Sequence, residues 1–328
     1  MSKIDLSIII PIYNVSQYLD RCLNPILSID DSTGVEVLLI DDGSTDNSGI
    51  IADEYSKKYS FVKTYHKANG GLSDARNYGT VRSKGKYVMY IDSDDEIDSQ
   101  CLSKIINIIK NTDYDCISWN AILIDEDSKI IPKEDNSYLG HGGLSGDTLY
   151  SVKDFITNQV KDHNDFATTA WIALFKREIL IDNNLYFEKG LLHEDDMWTP
   201  RAFLNCSNIY YADMNLYKYR VRNNSIMTDS RKSEKKLHDI VFIYSSLYAF
   251  FNWKVTDEQL KKTLMGAFSK RYLYYLGKSH WKLVRNVIKT VNRGEILRNA
   301  RGKKDKLRAF LLLLNCVLYA KVSAYVKK

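Results

Sequence analysis

Tyr87-Val88-Met89-Tyr90-Ile91-Asp92-Ser93-Asp94-Asp95 is an apolar run of strand-forming residues that stops at three carboxylates within four positions. Such a run reads as a buried strand that carries Asp92, Ser93 and Asp94 to the rim of a sheet, where acids two residues apart face the same point. Paired hard oxygen donors suit Mg2+ or Mn2+, ions that keep open positions for substrate phosphates. The alternative for an isolated Asp-x-Asp is a polar turn at a strand end.

The pattern is repeated upstream. Leu6 to Tyr13 is a strand candidate ending in Pro11-Ile12-Tyr13-Asn14, and Val35 to Ile40 is another, running into Asp41-Asp42-Gly43-Ser44-Thr45-Asp46. Phe61 to Tyr65 is a third. Amphipathic stretches at about 18–29, 46–59 and 72–83 separate them, with Ser44 or Thr45 available to cap the second. Alternating strand and helix through residue 110 predicts an open, mostly parallel, Rossmann-like sheet with right-handed crossovers. Ligands of such sheets bind beyond the carboxyl ends of the strands, which places Tyr13, Asp42, Asp92 and Asp94 on one rim and points to a nucleotide site. The Tyr13 ring can stack on a base and the Asp42 carboxylate can accept the imide proton of a uracil, although either can equally finish a strand. Asn69-Gly70-Gly71-Leu72-Ser73, followed by Arg76 and Asn77, reads as a glycine turn opening a helix, with backbone donors and Arg76 suited to an anion or to a plain helix entry.

These four segments, in this order, resemble the successive signatures of family 2 glycosyltransferases with the GT-A fold. The resemblance is dense over about the first 100 residues and thinner as far as Thr228. It implies an α/β, GT-A nucleotide-sugar-binding fold and assigns the positions matching Tyr13 and Asp42 to the uracil. It assigns Asp92 and Asp94 to the ribose and to a metal-bound diphosphate. Pro11, Asn69, Arg76 and Ser93 fall on the nucleotide side. The family's downstream acidic pair matches Glu194-Asp195 within His193-Glu194-Asp195-Asp196-Met197-Trp198, which makes Asp195 the catalytic base and places His193 and Glu194 toward the acceptor. Chemistry supports a base there, because an acceptor hydroxyl must lose its proton as it attacks the anomeric carbon. The alternative is that these acids decorate a helix N-terminus, where the dipole favours them.

Between the two groups of motifs, Tyr114 to Ile124 and Lys129 to Leu139 read as strands and 140–146 as a glycine-rich loop. The segment Thr168 to Lys176 resembles the family's stretch beneath the acceptor; Trp171 within it offers an indole for a sugar face if exposed, or a core residue if not. Tyr217 to Ile226 resembles the stretch that closes the catalytic domain in bacterial capsular and exopolysaccharide members. Arg220 or Arg222 there is a candidate clamp on the diphosphate, although alternating tyrosines and basic residues also describe an ordinary half-solvated strand.

Charge divides the chain. Residues 1–230 hold 23 Lys and Arg against 35 Asp and Glu, whereas residues 231–328 hold 23 against 6, so the overall net of +5 conceals a strongly basic end. This implies a catalytic domain over 1–230 and a helical region over 231–328, with helices at 234–251, 257–275, 280–291 and 303–326. No recognition-motif spacing accompanies the basic residues, so nucleic acid is not the expected partner. The last helix combines Ala309 to Leu314 and Val317 to Tyr319 with Lys303, Lys304, Lys306, Arg308 and Lys321, but Asn315 and Lys321 interrupt it short of the ~20 apolar residues of a membrane span. An anionic membrane surface is the better expectation, against simple packing on neighbouring helices. Five cysteines without a Cys-x-x-Cys pair, and a short polar start, suit the cytoplasm or the inner face of the cell membrane.

The expected activity is therefore metal-dependent, inverting transfer from a UDP-sugar to a glycan or lipid-linked glycan acceptor in surface polysaccharide synthesis, with Mn2+ or Mg2+ as cofactor. A sugar-phosphate nucleotidyltransferase is the competing enzyme class, but 11–15 lacks the glycine-rich, basic phosphate loop that class needs. A non-catalytic nucleotide or carbohydrate module is the competing binding class.

Overall fold

The computed structural model describes residues 3–29, 31–132, 140, 143–163, 165–222 and 233–325. The chain forms two compact units. One comprises Met1–Phe155, Ala167–Gly190 and Trp198–Asn223; the other comprises Ile156–Phe166, Leu191–Met197 and Asn224–Lys328. The second unit is thus discontinuous in sequence, drawing two short segments from within the first 230 residues.

Elements follow in the order β1 (Leu6–Ile12), α1 (Ser16–Leu27), β2 (Val35–Asp41), α2 (Ser48–Lys58), β3 (Val62–His66), α3 (Leu72–Arg82), β4 (Tyr87–Tyr90), β5 (Glu96–Ile97), α4 (Ser99–Asn111) and β6 (Cys116–Ile124). They continue with β7 (Thr148–Ser151), α5 (Val152–His163), β8 (Ala173–Lys176), α6 (Arg177–Asp182), α7 (Glu194–Phe203) and β9 (Asn208–Arg220). The helical remainder is α8 (Ser233–Lys254), α9 (Glu258–Lys278), α10 (Trp281–Val287), α11 (Arg293–Asn299), α12 (Gly302–Leu314) and α13 (Cys316–Tyr325).

In the first unit one sheet runs β3-β2-β1-β4-β8-β6-β9-β5, with β7 also paired to β9. The β3-β2-β1-β4 portion is parallel, as the strand and helix rhythm predicts. Beyond β4 the sheet becomes mixed: β8 joins β4 and β6 antiparallel, while β9 runs parallel to β6. β1, β2 and β4 are buried along their whole length, which explains why they read as unbroken apolar runs rather than alternating ones. Pro11 is tolerated inside β1 because pairing to β4 ends at Ile9, so its missing N–H falls where no ladder partner is required. The helices shield the sheet through single apolar faces. In α4, Leu102, Ile105, Ile106 and Ile109 are buried, each stabilising by roughly 1.5–3 kcal/mol, and Asp98 caps the first turn by accepting from Gln100 N at 3.1 Å and Cys101 N at 3.0 Å.

Three local expectations need correction. Neither Ser44 nor Thr45 caps α2, because Ser44 Oγ accepts from Asn14 N at 3.2 Å and the Thr45 N–H donates to Asn14 Oδ1 at 2.8 Å, tying the end of β1 to the loop after β2. The strand expected over 129–139 reduces, among the described residues, to a bridge between Ile130 and Ile124; residues 133–139 lie outside the description. The last helix breaks at Asn315, whose side chain caps α13 by accepting from Val317 N and Leu318 N, both at 3.0 Å.

Candidate active site

Parallel register sets the carboxyl ends of β1, β2 and β4 along one edge of the sheet, with Ile12 beside Asp41 and Ile9 beside Tyr90. Tyr13 follows β1 there with half its surface in solvent, so its ring is available for stacking. Asp42 follows β2 but is buried and engaged. Gly70 N donates to its Oδ1 at 2.9 Å, Gly71 N donates to its Oδ2 at 2.7 Å, and the Lys67 ammonium pairs with it as well. Gly71 adopts a φ of +86°, which only glycine takes without strain. A side chain at Gly70 would collide with the Asp74 carboxylate. The glycine turn expected to face an anion therefore offers two of its donors to an internal carboxylate, while Asn69 remains exposed beside it.

After β4 the chain turns at Asp92-Ser93-Asp94-Asp95, with Asp95 N donating to Asp92 O at 3.1 Å. The Asp92 and Asp94 side chains keep 25% and 20% exposure, and each is held by its own arginine: Arg76 Nη2 lies 2.6 Å from Asp92 Oδ1, and Arg222 Nη2 lies 2.5 Å from Asp94 Oδ2. Arg76 is itself buried on the ring of Phe187, 5.1 Å from its centroid, so its guanidinium serves Asp92 rather than open solvent. Burial raises the proton affinity of the Asp94 carboxyl, opposed by the Arg222 guanidinium, with the Asp92 charge adding to the rise. Ser93 is buried, and Asp95 is structural. The Asp95 Oδ2 accepts from Tyr217 Oη at 2.7 Å and its Oδ1 from Arg220 N at 2.7 Å. Burial, reinforced by Asp94 and Asp92, pushes the Asp95 carboxyl well above the usual range.

Two candidates from the sequence turn inward. Arg220 is fully buried and its donors are consumed within the fold: Nε donates to Asp94 O at 3.0 Å, Nη1 to Asp125 O at 2.7 Å and Glu126 O at 3.0 Å, and Nη2 to Ser128 Oγ at 3.2 Å and to Glu96. It is a bracket for the aspartate turn and not a diphosphate clamp; Arg222, two residues on and partly exposed, keeps that role open. Trp171 is 3% exposed and stacks on Tyr217 at 4.1 Å with planes 6° apart, so no sugar can lie on its indole.

In the second unit, Leu191 to Met197 carry the acidic segment. His193 takes a φ of +65° immediately before α7, and the Asp195 Oδ1 accepts from Asp196 N at 2.9 Å, which orients the carboxylate proposed as base. Asp196 is buried and anchored, with Arg271 Nη1 at 3.0 Å and Tyr244 Oη at 3.2 Å. Arg271 also holds Asp165 at 2.5 Å. Glu194 is buried as well, and the His193 ring packs edge-on against Tyr275 at 5.3 Å; burial lowers the His193 imidazole below its ordinary value, opposed by the Asp196 charge.

The profile of the family described as "Glycosyl transferase family 2" matches residues 7–183, more than half of the chain. The chain belongs to glycosyl transferase family 2. Among curated proteins it is 30% identical over 237 residues to the "Uncharacterized glycosyltransferase YibD" of Escherichia coli (strain K12), covering 71% of this chain and 66% of that protein. It is 31% identical over 229 residues to "Glycosyltransferase GlyG" of Streptococcus pneumoniae, covering 68% and 72%. Among solved structures, Staphylococcus aureus TarS 1-349 in complex with UDP-GlcNAc superposes with a TM-score of 0.74 at 19% identity, over 98% of this chain and 90% of that one. The fold is thus GT-A with a helical C-terminal part, and the chain is a glycosyltransferase.

As a family 2 glycosyltransferase, the chain has two partly exposed aspartates on one turn, a donor set that fits Mn2+ or Mg2+. No group of three His, Cys, Asp or Glu residues clusters suitably among the described residues, so such an ion would need oxygens from its substrate or water to complete its shell. The sequence motifs assign no role to Lys67, Phe187 and Tyr217, which hold Asp42, Arg76 and the aspartate turn, or to Arg271, which holds Asp196. Lys67 stands beside the glycine signature and was legible as its local counter-charge. Arg271 carries no local signal, because its partner lies 75 residues away.

Proposed function

We propose that this family 2 glycosyltransferase moves a hexose from a UDP-sugar to a hydroxyl of a glycan acceptor, with inversion and with Mn2+ or Mg2+ bound at Asp92 and Asp94. The observation that carries this reading is the pair of rim carboxylates, each partly open to solvent and each steered by a separate arginine. Half-exposed Tyr13 on the same edge offers a stacking ring for a uracil, beside the glycine turn that the buried Asp42 carboxylate holds in place. The UDP-GlcNAc complex of the TarS protein, which shares the fold, supports a uridine donor. In the reaction the acceptor oxygen bonds to the anomeric carbon as the bond from that carbon to the diphosphate oxygen breaks. Asp195 takes the acceptor's hydroxyl proton, and UDP departs with the bonding pair. The bound cation supplies charge compensation for the leaving diphosphate. Arg222, paired with Asp94 and partly exposed at the same turn, would be within reach to pair with that diphosphate.

The acceptor in this reading is a lipid-linked glycan of surface polysaccharide synthesis, handled at the cytoplasmic face of the membrane. Support comes from the excess of basic residues after position 230. No helix among the described residues is long and apolar enough to cross a membrane. Thermal stabilisation by a panel of nucleotide sugars with Mn2+, paired with a donor-hydrolysis assay, tests the donor assignment. UDP-sugars should raise the melting temperature and the others should not. A flat response to every UDP-sugar, with stabilisation by a different nucleotide, would overturn it.

A further inference from the structure

The break at Asn315 turns the last apolar stretch into two short helices with distinct faces. Ala309 and Leu312 of α12, and Tyr319 and Ala320 of α13, are buried, and the Tyr319 hydroxyl donates to Leu273 O of α9. The other faces are apolar and uncovered. Leu307, Phe310 and Leu314 recur at i, i+3 and i+7, which places them on one stripe of α12, and Leu307 and Leu314 are 61% and 65% exposed. Leu318 and Val322 repeat the arrangement on α13 at i and i+4. Lys303, Lys304, Lys306 and Lys321 stand exposed around these stripes.

Gly302 and Lys306 of α12 line a cleft of about 890 Å3 with five basic side chains on its walls, Lys261, Lys262, Arg298, Arg301 and Lys306, against two glutamates. Lys261 is paired with Glu258 at 2.8 Å. Among the described residues the other four have no carboxylate at ion-pair distance, so the cleft carries a net positive charge, five cations against two glutamates. Such an arrangement is relieved by an anion from outside the chain.

We propose that the exposed faces of α12 and α13, together with this basic cleft, form a docking surface for an anionic phospholipid bilayer. The proposal rests on the lipid-linked acceptor reading above and names the surface that serves it. Leu307, Phe310, Leu314, Leu318 and Val322 enter the boundary of the acyl region while the cleft takes headgroup phosphate. Helices of 13 and 10 residues are too short to span a bilayer and suit a position in the plane of the interface. Charge complementarity selects a bilayer over a second copy of the chain, because two such faces brought together would oppose basic rims to each other.

Flotation of the full chain, without donor, on vesicles of phosphatidylcholine alone or mixed with phosphatidylglycerol tests this. The wild type should float with the mixed vesicles and not with phosphatidylcholine alone, and added salt should weaken the association. Arg298→Glu combined with Lys306→Glu should weaken apparent vesicle affinity by about tenfold or more. Phe310→Ser combined with Leu314→Ser, at positions already exposed, should weaken it by a similar factor or more while the melting temperature holds. Indifference to phosphatidylglycerol, or a Phe310→Ser/Leu314→Ser protein that floats as well as the wild type, would overturn the proposal. So would light scattering that finds the wild type self-associated, that double variant monomeric, and vesicles unbound by both. Transfer to a water-soluble glycan, assayed without vesicles, reports on the enzyme reading separately: a wild type that transfers but binds no vesicles overturns the docking surface alone.

Discussion

Arg271 Nη1 lies 3.0 Å from Asp196 Oδ1, so the residue after the proposed base is tied from α9 to a buried guanidinium. The same arginine reaches Asp165, and Tyr244 supplies a second donor to Asp196. The Asp196 N–H in turn holds the Asp195 carboxylate at 2.9 Å. The orientation of Asp195 therefore depends on a residue 76 positions further along the chain.

Breaking that pair on one side should be costly. Arg271→Met leaves Asp196 buried without its cation and is expected to destabilise by about 3 kcal/mol or more, measured by urea unfolding. Adding Asp196→Asn should return part of the loss in a double-mutant cycle. Simple additivity of the two changes would refute the coupling.

Asp195→Asn keeps the side chain's shape and removes its basicity. Turnover should fall by about 100-fold or more while stabilisation by UDP with Mn2+ is retained. Unaltered turnover would remove Asp195 from the mechanism.

Arg220 and Arg222 should behave oppositely despite their spacing of two. Arg220→Met strands Glu96 and three carbonyls and should cost about 3 kcal/mol or more in unfolding experiments. Arg222→Ala should leave the melting temperature nearly unchanged and raise KM for the UDP-sugar about tenfold or more, as expected of a lost charge-assisted contact. An unchanged KM would exclude the clamp role.

His66 links stability to pH. Its Nδ1 lies 2.8 Å from Asp41 and its Nε2 lies 3.0 Å from Asp53, and these carboxylates raise the imidazole's proton affinity above its ordinary value. A raised folded-state value means the contribution is complete below about pH 6.5 and is lost as pH rises through the folded-state value. Since the ring is half exposed, the effect should stay under about 1 kcal/mol. Urea midpoints of wild type and His66→Gln should therefore converge at alkaline pH; a gap that widens there would reverse the assignment.

Much of the rim was legible in the sequence because it depends on short-range order. Each parallel strand is a continuous apolar run that ends in polar residues, so Tyr13, Asp42, Asp92 and Asp94 reach one edge by register alone. The mixed half of the sheet was less legible. β8 is four residues long and β9 pairs with strands far away in sequence, so neither leaves a periodic signature long enough to orient it.

From the sequence alone came the alternation of strand and helix, the acids at the strand ends and the basic character of the last hundred residues, since all three are properties of neighbouring positions. Tertiary structure alone decided which charged or aromatic groups turn inward. Arg220 is satisfied by carbonyls and side chains 92 to 126 positions away, Trp171 by the ring of Tyr217, and Asp196 by Arg271. A long polar side chain is buried only where distant segments bring enough partners to replace the water it loses, and that balance is set by the assembled fold.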